Sequence, residues 1–293
     1  MRTSGVPRVT VIIATYNWSS VLPFSIGSVL TQTFPDFELL VVGDGCTDDS
    51  AEVVGAIADP RLRWINLPEN TRHQSGPNNE GLRQARGDII AYLGHDDLWL
   101  PHHLEAMVAA IDRTDAGLAY SLIANVSPDG AFVWPTIPRP DSGTFSSPVG
   151  IVHRRSVTEE AGGWRDYRTM EAAPDVELWR RIQAAGYRCV FVPRLTGIKF
   201  AAALRRDVYK IRSCHEQAHW AARIASEADL EFVLLADFIA GQAVPTGAPL
   251  RLLLGQLWRQ VRARIRMRRA GVWRWPGLAE RAAIDEVRRF KGL

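Results

Sequence analysis

The residues best placed to do chemistry are carboxylates and amides that follow apolar runs. Asp96 and Asp97 stand in AYLGHDDLWLP, directly after the apolar run from Ile89 to Leu93. Two adjacent carboxylates at the end of a strand concentrate negative charge, which is costly unless a cation is held there. Hard oxygen ligands of this kind suit Mg2+ or Mn2+ shared with substrate phosphates. The competing reading is that one aspartate caps a helix beginning near Pro101 while the other is solvated. Asp44 follows a second apolar run, Phe37 to Val42, where a carboxylate can accept a hydrogen bond from a base or a ribose hydroxyl, or merely form a turn. The polar triplet Thr15-Tyr16-Asn17 follows a third, from Val9 to Ala14. His215 and His219, four apart in CHEQAHW, share one helix face with a spacing that permits metal binding but does not match the zinc-protease pattern, and a polar helix face is the preferred reading.

The elements that must position these residues alternate between strand and helix. The β-branched run VTVIIA (9–14) predicts a buried parallel strand. A helix follows, capped by Ser19 or Ser20 and carrying Val21, Phe24, Ile26, Val29 and Leu30. The strand FELLVV (37–42) precedes a helix over 50–58, and a strand over 62–67 precedes a polar loop over 69–79. A helix near 80–85 then leads into the strand 89–93. This alternation is the signature of a doubly wound α/β sheet, whose ligands bind at the carboxyl ends of the strands. Thr15-Tyr16-Asn17, Asp44 and His95-Asp96-Asp97 all fall at such ends. Residues 125–148, rich in Pro, Gly and Ser, predict a long connection over a cleft. A strand over 149–153, a helix over 176–185 and a short strand over 187–192 follow, and beyond 200 the chain reads as helical.

Composition bounds the class. The chain has 293 residues, 46% hydrophobic and 23% charged, which is ordinary for a globular protein. Its three cysteines (Cys46, Cys189, Cys214) are too few for a disulfide framework or a zinc cluster and point to a reducing cytosol. No signal-peptide core precedes the first strand, and no run reaches the roughly 20 apolar residues of a membrane span. The net charge of +3 is unevenly spread: residues 251–293 hold twelve Lys and Arg against three Asp and Glu. Leu254, Trp258, Val261 and Ile265 form an apolar stripe beside Arg259, Arg262, Arg266 and Arg269. Such a helix either lies on anionic lipid or packs on the body with its arginines solvated. Nucleic acid is not expected, because no recognition motif accompanies the charge.

VTVIIATYN, LLVVGDGCTDDS, the Gly-Pro-Asn-Asn segment and ARGDIIAYLGHDDLWLP resemble, in order and spacing, the successive motifs of family 2 glycosyltransferases. GIVHRRSVTEEAGGW and APDVELWRRIQAAGY resemble that family's acceptor-side loop and catalytic segment. The match runs over about residues 8–195. It implies a GT-A fold: a doubly wound mixed sheet forming a catalytic domain over 1–200, with a nucleotide-binding half over about 1–100 and an acceptor half over about 101–200. A helical, basic C-terminal extension occupies 201–293.

The resemblance also implies roles. Thr15, Tyr16 and Asn17 line the nucleotide pocket, with Tyr16 beside the base, Asp44 at the base edge and Asn79 closing the site. Asp96 bridges protein and diphosphate through Mn2+ or Mg2+, with Asp97 as its supporting metal neighbour. Asp175 stands where the inverting base is expected, although Asp after Pro at a helix start is also a good cap. The chemistry is an in-line displacement with an oxocarbenium-like transition state: one base on the acceptor face, and charge neutralisation of the leaving diphosphate. Trp164 and Trp179 are candidates for a sugar platform, with core packing preferred for Trp179, and Glu177 faces acceptor or solvent. The sequence departs from the family pattern at Ala14, Gly43, Gly94, Asn78 and Pro174. His95 is the candidate to replace a lost ribose partner, and Arg72 or His73 a lost phosphate contact.

The expected function is therefore an inverting glycosyltransferase that moves a sugar from a nucleoside-diphosphate sugar to a glycan or lipid-linked acceptor in polysaccharide or glycolipid assembly. It would work in the cytoplasm, peripherally at the inner face of the membrane if the basic helix binds there. Two rivals remain. A nucleotidyltransferase would carry a Gly-rich loop with a basic residue after the first strand, where ATYNWSS stands instead. A degenerate family member would bind nucleotide or glycan without turnover.

Overall fold

The computed structural model describes residues 5–128, 133–136, 147–170, 172–242 and 288–290. Four strands form the first half of the sheet: β1 (Val9–Thr15), β2 (Phe37–Gly43), β3 (Leu62–Asn66) and β4 (Ile89–Gly94). They pair in parallel in the order β3-β2-β1-β4, with Val9 opposite both Phe37 and Ile89. Their continuous apolar sequence has a direct cause, because helices cover both faces. Val9, Val11 and Ile13 pack with Leu22, Ile26 and Val29 of α1 (Leu22–Leu30), and with Leu104, Met107 and Ile111 of a later helix, His103–Thr114. Ile12, Leu40, Val42 and Ile90 face the other way and pack with Leu178, Trp179 and Ile182 of the helix Pro174–Ala184. The two-residue period of the strand thus divides one run of residues between two cores. Each fully buried Val, Ile or Leu contributes roughly 1.5–3 kcal/mol.

Two helices in this half differ from expectation. α2 (Ser50–Gly55) is shorter than predicted. α3 (Ser75–Gln84) begins five residues before the predicted start, inside what reads as a polar loop. Pro77 is tolerated because the first turn of a helix needs no backbone donor there. Gly81 is required by close packing, since a Cβ there would lie 2.6 Å from Ile12 Cγ2. The glycine that lets the helix approach β1 is thus Gly81, just beyond the Gly76-Pro77-Asn78-Asn79 segment that reads as loop.

The second half is mixed. β5 (Leu98–Trp99) follows the acidic pair at once, and α4 (His103–Thr114) starts with His102 as an N-cap that makes no side-chain bond. Neither Asp96 nor Asp97 caps that helix. β6 (Leu118–Val126), β7 (Val133–Thr136) and β8 (Ile151–Arg154) precede α5 (Arg155–Glu160) and α6 (Pro174–Ala184). β9 (Cys189–Lys199) runs seven residues beyond its predicted end at 192. The full order is β3-β2-β1-β4-β8-β6-β9-β5, with β7 on β6. β8 is antiparallel to both β4 and β6, and β9 is parallel to β6.

Among the described residues after 200 lie α7 (Val208–Ile211), α8 (His215–Ser226) and α9 (Leu230–Gln242). They do not form a separate unit. Trp220, Leu230 and Leu234 share a core with Leu98, Val126, Leu195 and Phe200 of the sheet. Val208 packs with Trp18 and Val21 at the start of the chain. The predicted amphipathic helix over 251–269 lies outside the described residues. No helix among the described residues is long and apolar enough to cross a membrane. Cys46, Cys189 and Cys214 are free thiols.

Candidate active site

Because β2, β1 and β4 are adjacent and parallel, their carboxyl ends lie side by side, with Thr15 opposite Gly43 and Ala14 opposite Gly94. The loops beyond them are laced together by side chains that sequence reasoning assigned to ligand. Asn17 adopts a left-handed φ of 47°, which Asn tolerates. Its carboxamide oxygen accepts from Thr47 N (2.7 Å) and Asp48 N (3.3 Å), and Asp48 accepts from Ser19 N. Asp44 is buried and accepts from Thr71 N (2.9 Å), Thr71 Oγ1 (2.7 Å) and Arg72 N (3.1 Å). It therefore holds the loop after β3. Tyr16 is exposed at 37%, with its ring available at the rim.

Thr15 and His95 meet directly, the Thr15 hydroxyl lying 3.0 Å from His95 Nδ1. Burial lowers the His95 pKa to about 4 against the pull of Asp97, so this imidazole is neutral at physiological pH. Trp18 stands edge-on to the same ring. Beyond it, Asp97 is buried, and its carboxylate accepts from Lys199 Nζ (3.0 Å) and from Phe200 N (2.9 Å). Burial pushes the Asp97 carboxyl up, Lys199 pulls it down and Asp96 adds to the rise. Asp96 is nearly as buried, and its backbone oxygen accepts from Gln217 Nε2 of α8 at 3.1 Å. Burial, then the charges of Asp96 and Asp97, raise the pKa of Tyr209 on α7, so these helices close over the acidic pair.

On the other side of the cleft, α6 begins after Ala173, whose side chain cannot cap. Asp175 lies within the first helical turn, so it is not the cap that its sequence context suggests. Its charge reaches Lys199, which also feels Asp97 and Asp96. Of the three candidate carboxylates, Asp97 is the one in contact with this ammonium, at 3.0 Å. The Asn79 carboxamide is engaged by another loop. It donates to Trp164 O (2.8 Å) and accepts from Trp164 N (2.9 Å), tying α3 to the 162–164 loop. Two further expectations are corrected. Glu177 does not face acceptor or solvent, because Arg165 (3.0 Å) and Arg181 (2.8 Å) pair with it. Trp164 and Trp179 are 3% and 1% exposed and pack against each other, so Trp164 is not a sugar platform, and the core packing preferred for Trp179 is what is observed. His215 and His219 are exposed on α8.

Residues 10–211 match the profile of the family described as Glycosyl transferase family 2. The chain belongs to that family. It is 38% identical over 125 residues to the succinoglycan biosynthesis protein ExoO of Rhizobium meliloti, covering 43% of this chain and 36% of ExoO. It is 32% identical over 130 residues to the UDP-Glc:alpha-D-GlcNAc-diphosphoundecaprenol beta-1,3-glucosyltransferase WfgD of Escherichia coli, covering 43% of this chain and 51% of WfgD. The matched stretches thus span about a third to a half of these relatives. Among solved structures, the fold is similar to the mannosyltransferase PcManGT of Pyrobaculum calidifontis in complex with GDP-Man and Mn2+. The TM-score is 0.57 at 19% identity, over 92% of this chain and 84% of that one. The expected GT-A architecture is the one observed.

The departures from the family motifs have local causes. A Cβ at Gly43 would lie 2.5 Å from Asn66 Oδ1 and 2.8 Å from the Trp64 ring. The space of a family carboxylate is therefore filled from β3. Asn66 in turn exchanges two hydrogen bonds with the backbone of Cys46 (2.9 and 3.0 Å). At Gly94 a Cβ would lie 2.7 Å from Asp97 Oδ2, so glycine there makes room for the carboxylate that pairs with Lys199. Among the described residues no three His, Cys, Asp or Glu side chains gather as a closed metal site. The buried, oxygen-only character of Asp96 fits a cation that keeps waters and takes its remaining ligands from phosphates. Sequence reasoning missed Lys199, Asn66, Tyr209 and Gln217. Only Lys199 had a signal, a cation that follows the uncharged run LTGI, as the aspartates follow theirs.

Proposed function

We propose that this protein is an inverting glycosyltransferase that moves a sugar from a nucleoside-diphosphate donor to a hydroxyl of a glycan or lipid-linked acceptor, in polysaccharide or glycolipid assembly. Family membership supports the reaction class, and the relative WfgD, whose name specifies a diphosphoundecaprenol acceptor, supports the acceptor class. The observation that carries the reading is the side-by-side carboxyl ends of β2, β1 and β4, the last of which leads into Asp96 and Asp97.

In this reading Tyr16 stacks beside the base, and the loops held by Asn17 and Asp44 shape the nucleotide pocket. Thr15 and neutral His95 offer hydrogen bonds to the donor. Asp96 holds Mn2+ or Mg2+ jointly with the diphosphate, and Asp97 orients that end of the site through Lys199 and Phe200. The cation, when bound, neutralises charge on the leaving diphosphate. Asp175 takes the proton of the acceptor hydroxyl as it attacks. The acceptor end is built on the Asn79–Trp164 bridge, and the basic tail brings the enzyme to an anionic membrane surface on the cytoplasmic side.

A thermal-shift screen of nucleoside diphosphates and nucleotide sugars, with and without Mn2+, tests the donor site. A ligand that binds only the native state raises apparent stability. At least one nucleotide is expected to stabilise the protein more strongly with Mn2+, and Asp96→Ala is expected to abolish the Mn2+ increment without lowering the ligand-free melting temperature by more than a few degrees. An undiminished increment in Asp96→Ala would sink the metal assignment. Donor stabilisation without any slow hydrolysis or transfer would favour a degenerate binding protein over an enzyme.

A further inference from the structure

Lys199 is the last residue of β9, 102 positions from Asp97 in sequence. Its ammonium carries three N–H donors. One is donated to Asp97 Oδ2, and the described residues provide no hydrogen-bond acceptor for the other two. The exposures of the two partners differ sharply: the Asp97 side chain is 2% exposed, the Lys199 side chain 31%. The carboxylate is sealed in, while the lysine reaches the cleft.

A buried ion pair of this kind has a bland explanation, in which Lys199 exists to compensate Asp97. That leaves two things unexplained. Asp97 also has the Phe200 N–H, and an amide at position 97 with a neutral partner at position 199 would serve packing alone. The position of the ammonium is also specific: it is held 3.0 Å from Asp97 Oδ2 at the end of β4, where a Cβ at Gly94 would lie 2.7 Å from Asp97 Oδ2 and 3.2 Å from Asp96 Oδ1, so both carboxylates share this strand end. Two adjacent carboxylates without a fixed cation would repel a nucleoside diphosphate from this end of the site. A charge-assisted hydrogen bond from a pre-positioned ammonium would attract it, and would strengthen as the diphosphate takes up charge on leaving.

We propose that Lys199 binds the diphosphate of the donor directly, as a protein-borne cation that complements the divalent metal and lets the site hold nucleoside diphosphate even when metal is absent. This rests on the donor-site reading above.

The test separates phosphate binding from support of Asp97. Lys199→Gln alone would strand a buried carboxylate and destabilise the fold, so the comparison is between Asp97→Asn and the double variant Asp97→Asn/Lys199→Gln. Neither contains an unpaired buried carboxylate at position 97. Affinity for UDP and GDP is measured by calorimetry in EDTA and again in Mn2+, with uridine and guanosine as phosphate-free probes. The double variant is expected to bind its preferred diphosphate about 10- to 100-fold more weakly than Asp97→Asn in EDTA, the scale of one lost hydrogen bond to a charged group. The loss should be smaller in Mn2+, nucleoside affinity unchanged and the two melting temperatures alike. Lys199→Arg, which keeps the charge and the partner of Asp97, should retain binding within several-fold. Equal diphosphate affinity in Asp97→Asn and the double variant, in both EDTA and Mn2+, overturns the proposal alone. Wild-type protein that binds neither diphosphate under either condition overturns the donor site, and this proposal with it.

Discussion

At the scale of single residues, the side chains singled out for ligand divide into two groups. Asn17, Asp44 and Asn79 spend their hydrogen bonds on backbone groups of neighbouring loops. Tyr16, which is exposed, and Asp175, which is half-buried, make no such loop contacts among the described residues. This division sharpens the test of Asp175. A base acts on the acceptor only as the transition state forms, so Asp175→Asn is expected to lower transfer on the order of 10²-fold while donor affinity stays within a few-fold. The cap is Ala173, so loss of a helix cap cannot explain such a fall. Retention of more than about a tenth of wild-type transfer, on that same scale, would send the search for the base elsewhere. Glu177 is a poor successor because two arginines already hold it.

Among the elements, α3 joins the two halves of the cleft. Gly81 lets it approach β1, and Asn79 bridges it to the loop ahead of α6 through both backbone groups of Trp164. Losing two such bonds costs about 1–3 kcal/mol. Asn79→Ala is therefore expected to lower the melting temperature by roughly 2–4 °C per kcal/mol lost, and Asn79→Asp, which keeps the acceptor for Trp164 N, by less. A melting temperature unchanged in Asn79→Ala would show that the 162–164 loop is held by other contacts. Nucleotide affinity should fall less than stability, because this bridge supports the acceptor side.

Considered whole, the molecule buries neutral histidines that link its stability to pH. His103 and His153 are fully buried. Burial sets the pKa of His153 at about 4 and that of His103 well below 6.5. In the unfolded chain both return to about 6.5, so below that pH the unfolded state binds more protons than the folded one, and stability rises with pH across the window. Between pH 6.5 and pH 5 each contributes roughly 2 kcal/mol of lost stability. The urea midpoint should accordingly be lower at pH 5 than at pH 7, and equal midpoints would refute the linkage.

The basic tail belongs to the same scale. Its described end returns to the body, where Arg288 donates to Arg72 O at 2.9 Å and lies 4.3 Å from the centre of the Tyr167 ring. If residues 251–287 also meet anionic lipid, full-length protein should bind anionic vesicles at low salt and a truncation lacking 251–293 should not. Full-length protein that ignores such vesicles would leave packing on the body as the tail's role.

What the sequence determined by itself is the parallel half of the sheet and the identity of its polar strand ends. Those signals are local: β-branched runs such as VTVIIA, flanking polar clusters, and an acidic pair whose members are neighbours in the chain. The start of α3 was not legible, because Gly, Pro and Asn favour loops and only the contact of Gly81 with Ile12 makes helix the better solution there. The filling of Gly43 by Asn66 and Trp64 and the bridging of Asn79 to Trp164 likewise join distant segments. The largest omission was Lys199. Its meeting with Asp97 follows from the sheet order β4-β8-β6-β9, with β5 folding back on β9. That order brings a strand end beside an acidic pair about a hundred residues earlier. No local propensity encodes it, because it results from pairing strands and burying both faces of the sheet at once.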